Sequence, residues 1–141
     1  MQHTLTQHDK KQVDMLNPLK STLRSSFPEK DGWKLYNRYN WSSKVYDYVL
    51  QKEEGKNTLR IVVEINFGDQ VSLNDFVKLN ELAKRLESGT IQVVRTVMVV
   101  QENTQIEAPE TTNVEMISMS ELIQNGIMNL QHQLNNSKLV A

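Results

Sequence analysis

One stretch of this chain narrows its fold more than any other. Between residues 59 and 100 an alternating strand, an amphipathic helix and a β-branched run follow one another. Leu59, Ile61, Val63, Ile65 and Phe67 share one face of the first segment, and Arg60, Val62, Glu64 and Asn66 share the other. That period of two belongs to an extended strand. Ser72 and Asp75 stand at capping-box spacing, where each side chain satisfies a free backbone N–H of the other. Leu73, Phe76, Val77, Leu79, Leu82, Ala83 and Leu86 then recur at helical spacing until Ser88-Gly89 stops the helix. Ile91 to Val100 is almost continuously apolar and β-branched, the pattern of a strand covered on both faces inside a sheet. A helix between two strands serves as a crossover connection.

The flanks extend this unit. Asn17-Pro18 predicts a helix start, because Asn caps free N–H groups and Pro fits the first turn. Leu19 and Leu23 lie one turn apart, Leu16 and Phe27 continue the stripe, and Pro28, Asp31 and Gly32 end it. Trp33–Trp41 and Lys44–Gln51 read as a hairpin broken by Ser42-Ser43, followed by a turn over Glu53–Asn57. Beyond Val100 come a polar loop (Gln101–Thr112), a short strand (Val114–Ile117) and a helix opened by the box Ser118-Met119-Ser120-Glu121. Leu122, Ile123, Ile127, Leu130 and Leu134 form a helical stripe that reads as core, with pairing to a second copy in a homodimer as the alternative. The domain plan is therefore a polar extension or short helix over 1–16, a single α/β domain over 17–134 and a loose tail over 135–141.

Composition bounds the function. At 141 residues one domain is expected. The absence of cysteine excludes a disulfide framework, a thiolate metal site and a cysteine nucleophile. No apolar run nears the roughly 20 residues of a membrane helix, and Met1-Gln2-His3-Thr4 has no signal-peptide core. A cytoplasmic location and no membrane partner are the expectation. His3, His8 and His132 are not at metal-ligand spacing, and the glycines form no phosphate-cradling loop. Charge is uneven: residues 1–60 carry 11 Lys/Arg against 7 Asp/Glu, a net of +4, whereas residues 61–141 carry 5 against 10, a net of −5. Both tryptophans and all four tyrosines fall in the basic part, interleaved with Lys34, Arg38 and Lys44. Strands favour aromatics and alternate them with solvated charges; the other reading of the same pattern is a nucleic-acid surface on Lys34, Arg38 and Lys44.

With Asp47 on the second strand and Glu64-Ile65-Asn66 ending the third, the α-β-β-β-α-β order resembles the restriction-endonuclease-like superfamily, in particular its archaeal and Mrr-like branch. The resemblance covers roughly residues 17–125 and includes Val114–Ile117 with Ser120-Glu121-Leu122 as a closing strand and helix. It implies a mixed central sheet flanked by helices, and a metal site built from an Asp, a Glu or Asp, and a lysine two residues on. Carried over by position, Asp47, Glu64 and the carbonyl of Ile65 are the ligands of Mg²⁺, or of Mn²⁺ in its place. Asn66 occupies the lysine position and supplies no positive charge, which puts catalysis in doubt; Lys78 on the crossover helix and Lys44 on the strand of Asp47 are substitutes to test. Three functions remain open: a degenerate nuclease-like domain that binds nucleic acid or a partner with little or no cleavage, an active metal-dependent DNA endonuclease, and a protein-interaction or assembly subunit without nucleic acid.

Overall fold

The structure, a computed structural model, describes residues 18–41 and 43–125. Residues 18–26 form helix α1. A 3₁₀ turn at Glu29–Asp31 leads into strands β1 (Trp33–Trp41), β2 (Lys44–Glu54) and β3 (Asn57–Asn66). Then follow β4 (Gln70–Val71), helix α2 (Leu73–Arg85), β5 (Ile91–Val100), β6 (Gln105–Ile106), β7 (Val114–Ser118) and helix α3 (Met119–Asn125). Asn17, Leu16, the extension over 1–16, Ile127, Leu130, Leu134 and the tail over 135–141 lie outside the described residues.

The protein is α/β, with a mixed five-stranded sheet of order β1-β2-β3-β5-β7. β1, β2 and β3 are antiparallel, whereas β3, β5 and β7 run parallel. The crossover expected from the sequence is α2. Its Phe76, Leu79 and Ala83 cover one face of the sheet against Tyr46, Val49, Val62, Met98 and Val100. The other face carries Tyr48, Leu50, Ile61, Val63, Val97 and Val99 and packs on Leu19 and Leu23 of α1 and Met119 and Leu122 of α3. Burying each such side chain stabilises by about 1.5–3 kcal/mol. The central strands therefore have to be apolar on both sides, as the run in β5 predicts.

Local chemistry fixes the ends of the elements. Ser72 and Asp75 make the anticipated capping box: Ser72 N–H donates to Asp75 Oδ2 (2.8 Å) and Asp75 N–H donates to Ser72 Oγ (3.3 Å). Ser118 Oγ likewise accepts from the Glu121 N–H, opening α3. Gly55 has φ +62 in the β2–β3 turn, a conformation open to a residue without Cβ.

Some expectations need correction. β2 runs to Glu54 rather than Gln51, and β3 spans Asn57–Asn66 rather than 59–67, because the tight turn at Gly55 lets Glu54 pair with Asn57. β5 is covered on both faces only in part. Its register to β3 slips between Arg60 and Ile61, and Val94 is left 45% exposed. The polar segment 101–112 is not all loop. Gln105–Ile106 pairs with Gln70–Val71 as a two-stranded sheet, too short to show any period in sequence. A buried bidentate ion pair, Arg95 Nε and an Arg95 guanidinium NH₂ to Glu115 at 2.8 and 2.6 Å, ties β5 to β7. Among the described residues no helix is long and apolar enough to cross a membrane.

Candidate functional site

The sheet opens at one end between β2 and β3. Their pairing runs from Glu54/Asn57 to Tyr48/Val63 and stops, while β2 continues beside β1 to Lys44 and β3 continues beside β5 to Asn66. Asp47 and Glu64 stand at the next position, where main-chain pairing has ended. The two carboxylates take its place. Glu64 Oε1 accepts from the Asp47 N–H (2.9 Å), and Asp47 Oδ2 accepts from the Ile65 N–H (2.8 Å). Each acid thus holds a backbone amide beside the other acid, and the pair bridges the gap between the strands.

Local irregularity in the strands makes this possible. Along β2, Tyr46 and Val49 both belong to the α2 side of the sheet and Tyr48 to the opposite side. Side-chain alternation therefore slips by one at Asp47. Across the β1–β2 pair the register holds at Asn37/Tyr48 and Tyr39/Tyr46, and the intervening position, Arg38 opposite Asp47, is skipped. Arg38 has φ +54. With its alternation broken, Asp47 turns its carboxylate along the sheet towards β3 instead of onto a face.

The electrostatics follow from the geometry. Burial, and then the charge of Asp47, push the Glu64 carboxyl up to about 8, with the hydrogen bond from the Asp47 amide opposing. No basic group is among the causes acting on Glu64. Burial and the Asp47 charge also push the Tyr48 phenol up to about 12. At neutral pH the Glu64 carboxyl thus keeps its proton beside the charge of Asp47, with no basic group acting on it.

Glu64, Ile65, Asn66 and Phe67 line an open groove of about 280 Å³ whose far wall is Asp75, Leu79 and Leu82 of α2 and Met98 of β5. The groove lies at the carboxyl ends of the parallel strands, beside the point where the sheet changes from antiparallel to parallel; such ends are where open α/β sheets bind ligands. Asp75 is committed to the cap of α2. No group of three or more His, Cys, Asp or Glu able to hold a metal occurs among the described residues. Asp47 and Glu64 are the two carboxylates that β2 and β3 bring side by side. A strand residue directs its N–H and C=O to the same edge, so the carbonyl of Ile65 opens on the same gap as the amide held by Asp47. Two carboxylates and a carbonyl suit Mg²⁺, which takes one or two carboxylates and keeps several waters.

The remaining sequence candidates are more scattered. Asn66 Oδ1 accepts from the Gly68 N–H (2.7 Å), so the side chain is folded back onto the turn after β3. Lys78 is exposed on α2 and does not line the groove. Lys44 is exposed and pairs with Trp41 at the hairpin end, and Lys34 and Arg38 are exposed on β1. The pairing of Glu64 with Arg60 open to two residues on one strand face does not form. The Arg60 guanidinium bonds Gln51 Oε1 (2.9 Å), Leu86 O (3.0 Å) and Tyr39 Oη (3.3 Å), against the Tyr39 and Trp41 rings.

The aromatic cluster also has structural work that its composition did not reveal. Trp41 Nε1 donates to Arg85 O (3.1 Å) and Tyr46 Oη donates to Leu82 O (2.8 Å). With Arg60 on Leu86 O, these side chains satisfy carbonyls at the C-terminal end of α2, where a cation is also favoured by the helix dipole. Compared with known proteins, the chain matches no family model and no curated protein.

Proposed function

We propose that this protein is a divalent-cation-binding domain of the restriction-endonuclease-like kind that holds nucleic acid with little or no cleavage. The interlocked Asp47–Glu64 pair carries this reading. Two acids brought side by side from adjacent strands, one of them half-buried and raised to about 8, leave a site that a cation would stabilise. Asp47, Glu64 and the Ile65 carbonyl would hold Mg²⁺ or Mn²⁺. Such an ion polarises a phosphoryl oxygen and lowers the pKa of its bound water. Asp47 and Glu64 would offer the ion carboxylates that backbone amides hold in place, beside a groove walled by Leu79, Leu82 and Met98.

Cleavage needs more than this. A lysine two residues after the second acid would offset charge developing on the phosphate, a contribution worth orders of magnitude when such groups are removed from enzymes. Asn66 has no charge, and its carbonyl oxygen serves the turn at Gly68. The site therefore binds better than it cuts.

The test is calorimetric and thermal titration of Mg²⁺ and Mn²⁺ into the protein and its Asp47→Ala/Glu64→Ala form, with nuclease assays alongside. Binding by the parent alone, with negligible cleavage of single-stranded and duplex DNA, is the expected result. Equal binding by both forms, or by neither, removes the metal site from the explanation. Rapid metal-dependent cutting would restore the active-nuclease alternative.

A further inference from the structure

The position opposite Asp47 on β1 is the most unusual in the sheet. Arg38, Ser43 and Asn103 are the non-glycine residues with positive φ among the described residues. Ser43 sits in the β1–β2 turn and Asn103 in the turn after β5. Asparagine tolerates that conformation, and turns demand it. Arg38 alone of the three lies inside a strand. Nothing in the side chain of arginine favours φ +54, and strain of this kind gathers at functional sites when the surrounding structure enforces it.

Among the described residues the side chain also has no partner. Arg38 is exposed, and its guanidinium forms no hydrogen bond or ion pair with another described residue. Tyr36 and Tyr39 both pack on the α2 side of the sheet although they are three apart, so the alternation of β1 slips at Arg38 as that of β2 slips at Asp47. The two irregularities face each other across one skipped register position. A long, permanently charged side chain on a strained backbone position therefore stands on the strand beside that of Asp47.

The other cations serve less well. Arg60 is buried against Gln51, Tyr39, Trp41 and Leu86. Lys78 stands on α2 rather than on the strand paired with that of Asp47, and Lys44 lies at the hairpin end beside Trp41. We propose that Arg38 is the phosphodiester-binding residue of the Asp47–Glu64 site, its guanidinium taking the phosphate group of a ligand bound there. The ligand class is a nucleic-acid backbone, which planar, bidentate arginine suits better than lysine. This rests on the metal-binding reading above and adds to it the cation that Asn66 does not supply.

The experiment separates the two ideas. Mg²⁺ is titrated into the protein and its Arg38→Ala, Arg38→Lys and Arg38→Gly forms, and a fluorescent single-stranded oligonucleotide is bound to each with and without Mg²⁺. Arg38→Ala should weaken oligonucleotide binding about tenfold or more, the loss of a charge-assisted contact, while its Mg²⁺ titration stays unchanged. Arg38→Lys should recover part of the loss. Arg38→Gly should bind as weakly as Arg38→Ala yet melt higher than the parent, because glycine relieves the positive φ; a residue with only a structural role would not combine the two. Undiminished oligonucleotide binding by Arg38→Ala overturns the proposal and leaves the metal site standing, as does a parent that binds Mg²⁺ but no oligonucleotide. A lower melting temperature for Arg38→Gly overturns it as well. Failure of the parent to bind Mg²⁺ overturns both readings together.

Discussion

Replacing Glu64 by Gln should leave stability at about pH 5 little changed and make the variant progressively more stable than the parent above that pH. Gln keeps an acceptor for the Asp47 N–H and the volume of Glu, and removes the second charge. In the native protein the Glu64 carboxyl lies at about 8, against an ordinary value of 4.5. The folded state thus holds a proton that the unfolded state has released, and stability falls with rising pH throughout that interval. The contribution is full below the unfolded value and is lost as pH rises through the folded one. Between roughly pH 5 and 8 the slope from this group is about 1.4 kcal/mol per pH unit, or about 4 °C per unit in melting temperature for a chain of this size. Urea melts of both proteins from pH 5 to 9 measure it. The parent should lose stability relative to Glu64→Gln across the window and run parallel to it above about pH 8. Curves parallel from pH 5 upward would mean that Glu64 titrates as a solvated carboxylate, and the closeness of the two acids would then be wrong.

Other substitutions test the frame around the site. Ser72→Ala removes the side-chain half of the α2 cap and should cost about 1 kcal/mol by chemical denaturation. Glu115→Ala leaves the buried Arg95 guanidinium without its carboxylate and should cost about 3–5 kcal/mol, with a flat response in an exposed control such as Lys34→Ala. Arg60→Ala strips a charge-assisted bond from Leu86 O and a cation from two aromatic rings, and should destabilise by about 2–4 kcal/mol while leaving Mg²⁺ binding in place.

Where a residue pattern repeats, the sequence exposes the structure. The β3-α2-β5 unit is visible because its periods of 2 and 3.6 run for ten residues or more and because Ser72 and Asp75 mark the junction. Asp47 and Glu64 could be brought together only through the resemblance, since seventeen residues and a hairpin separate them. Register does the rest. A tight turn at Gly55 fixes which residues oppose, and that turn places the two acids at one level. What stayed hidden is aperiodic. β4 and β6 are too short to alternate, the slip at Val94 looks like one more valine, and the positive φ of Arg38 has no residue signature, since glycine or asparagine is the type that advertises it. The role of the aromatics was similarly concealed. Tyr and Trp in a strand read the same whether they face a ligand or, like Trp41 and Tyr46, the end of α2.

Two departures from economical folding coincide at one level of the sheet. A strand residue with positive φ costs on the order of 1–3 kcal/mol, and a half-buried carboxyl set against a second carboxylate weakens the fold as the pH rises. Either could be avoided. Continued main-chain pairing of β2 with β3 would satisfy the amides of Asp47 and Ile65 without any acid, and a residue at 38 in ordinary extended geometry would close the skipped position between β1 and β2. Sequences that specify a fold agree with it locally nearly everywhere, and the places where they do not are where function resides. The two disagreements face each other across Arg38 and Asp47, and the ligand proposed above, a phosphodiester held by cation and arginine together, would account for both.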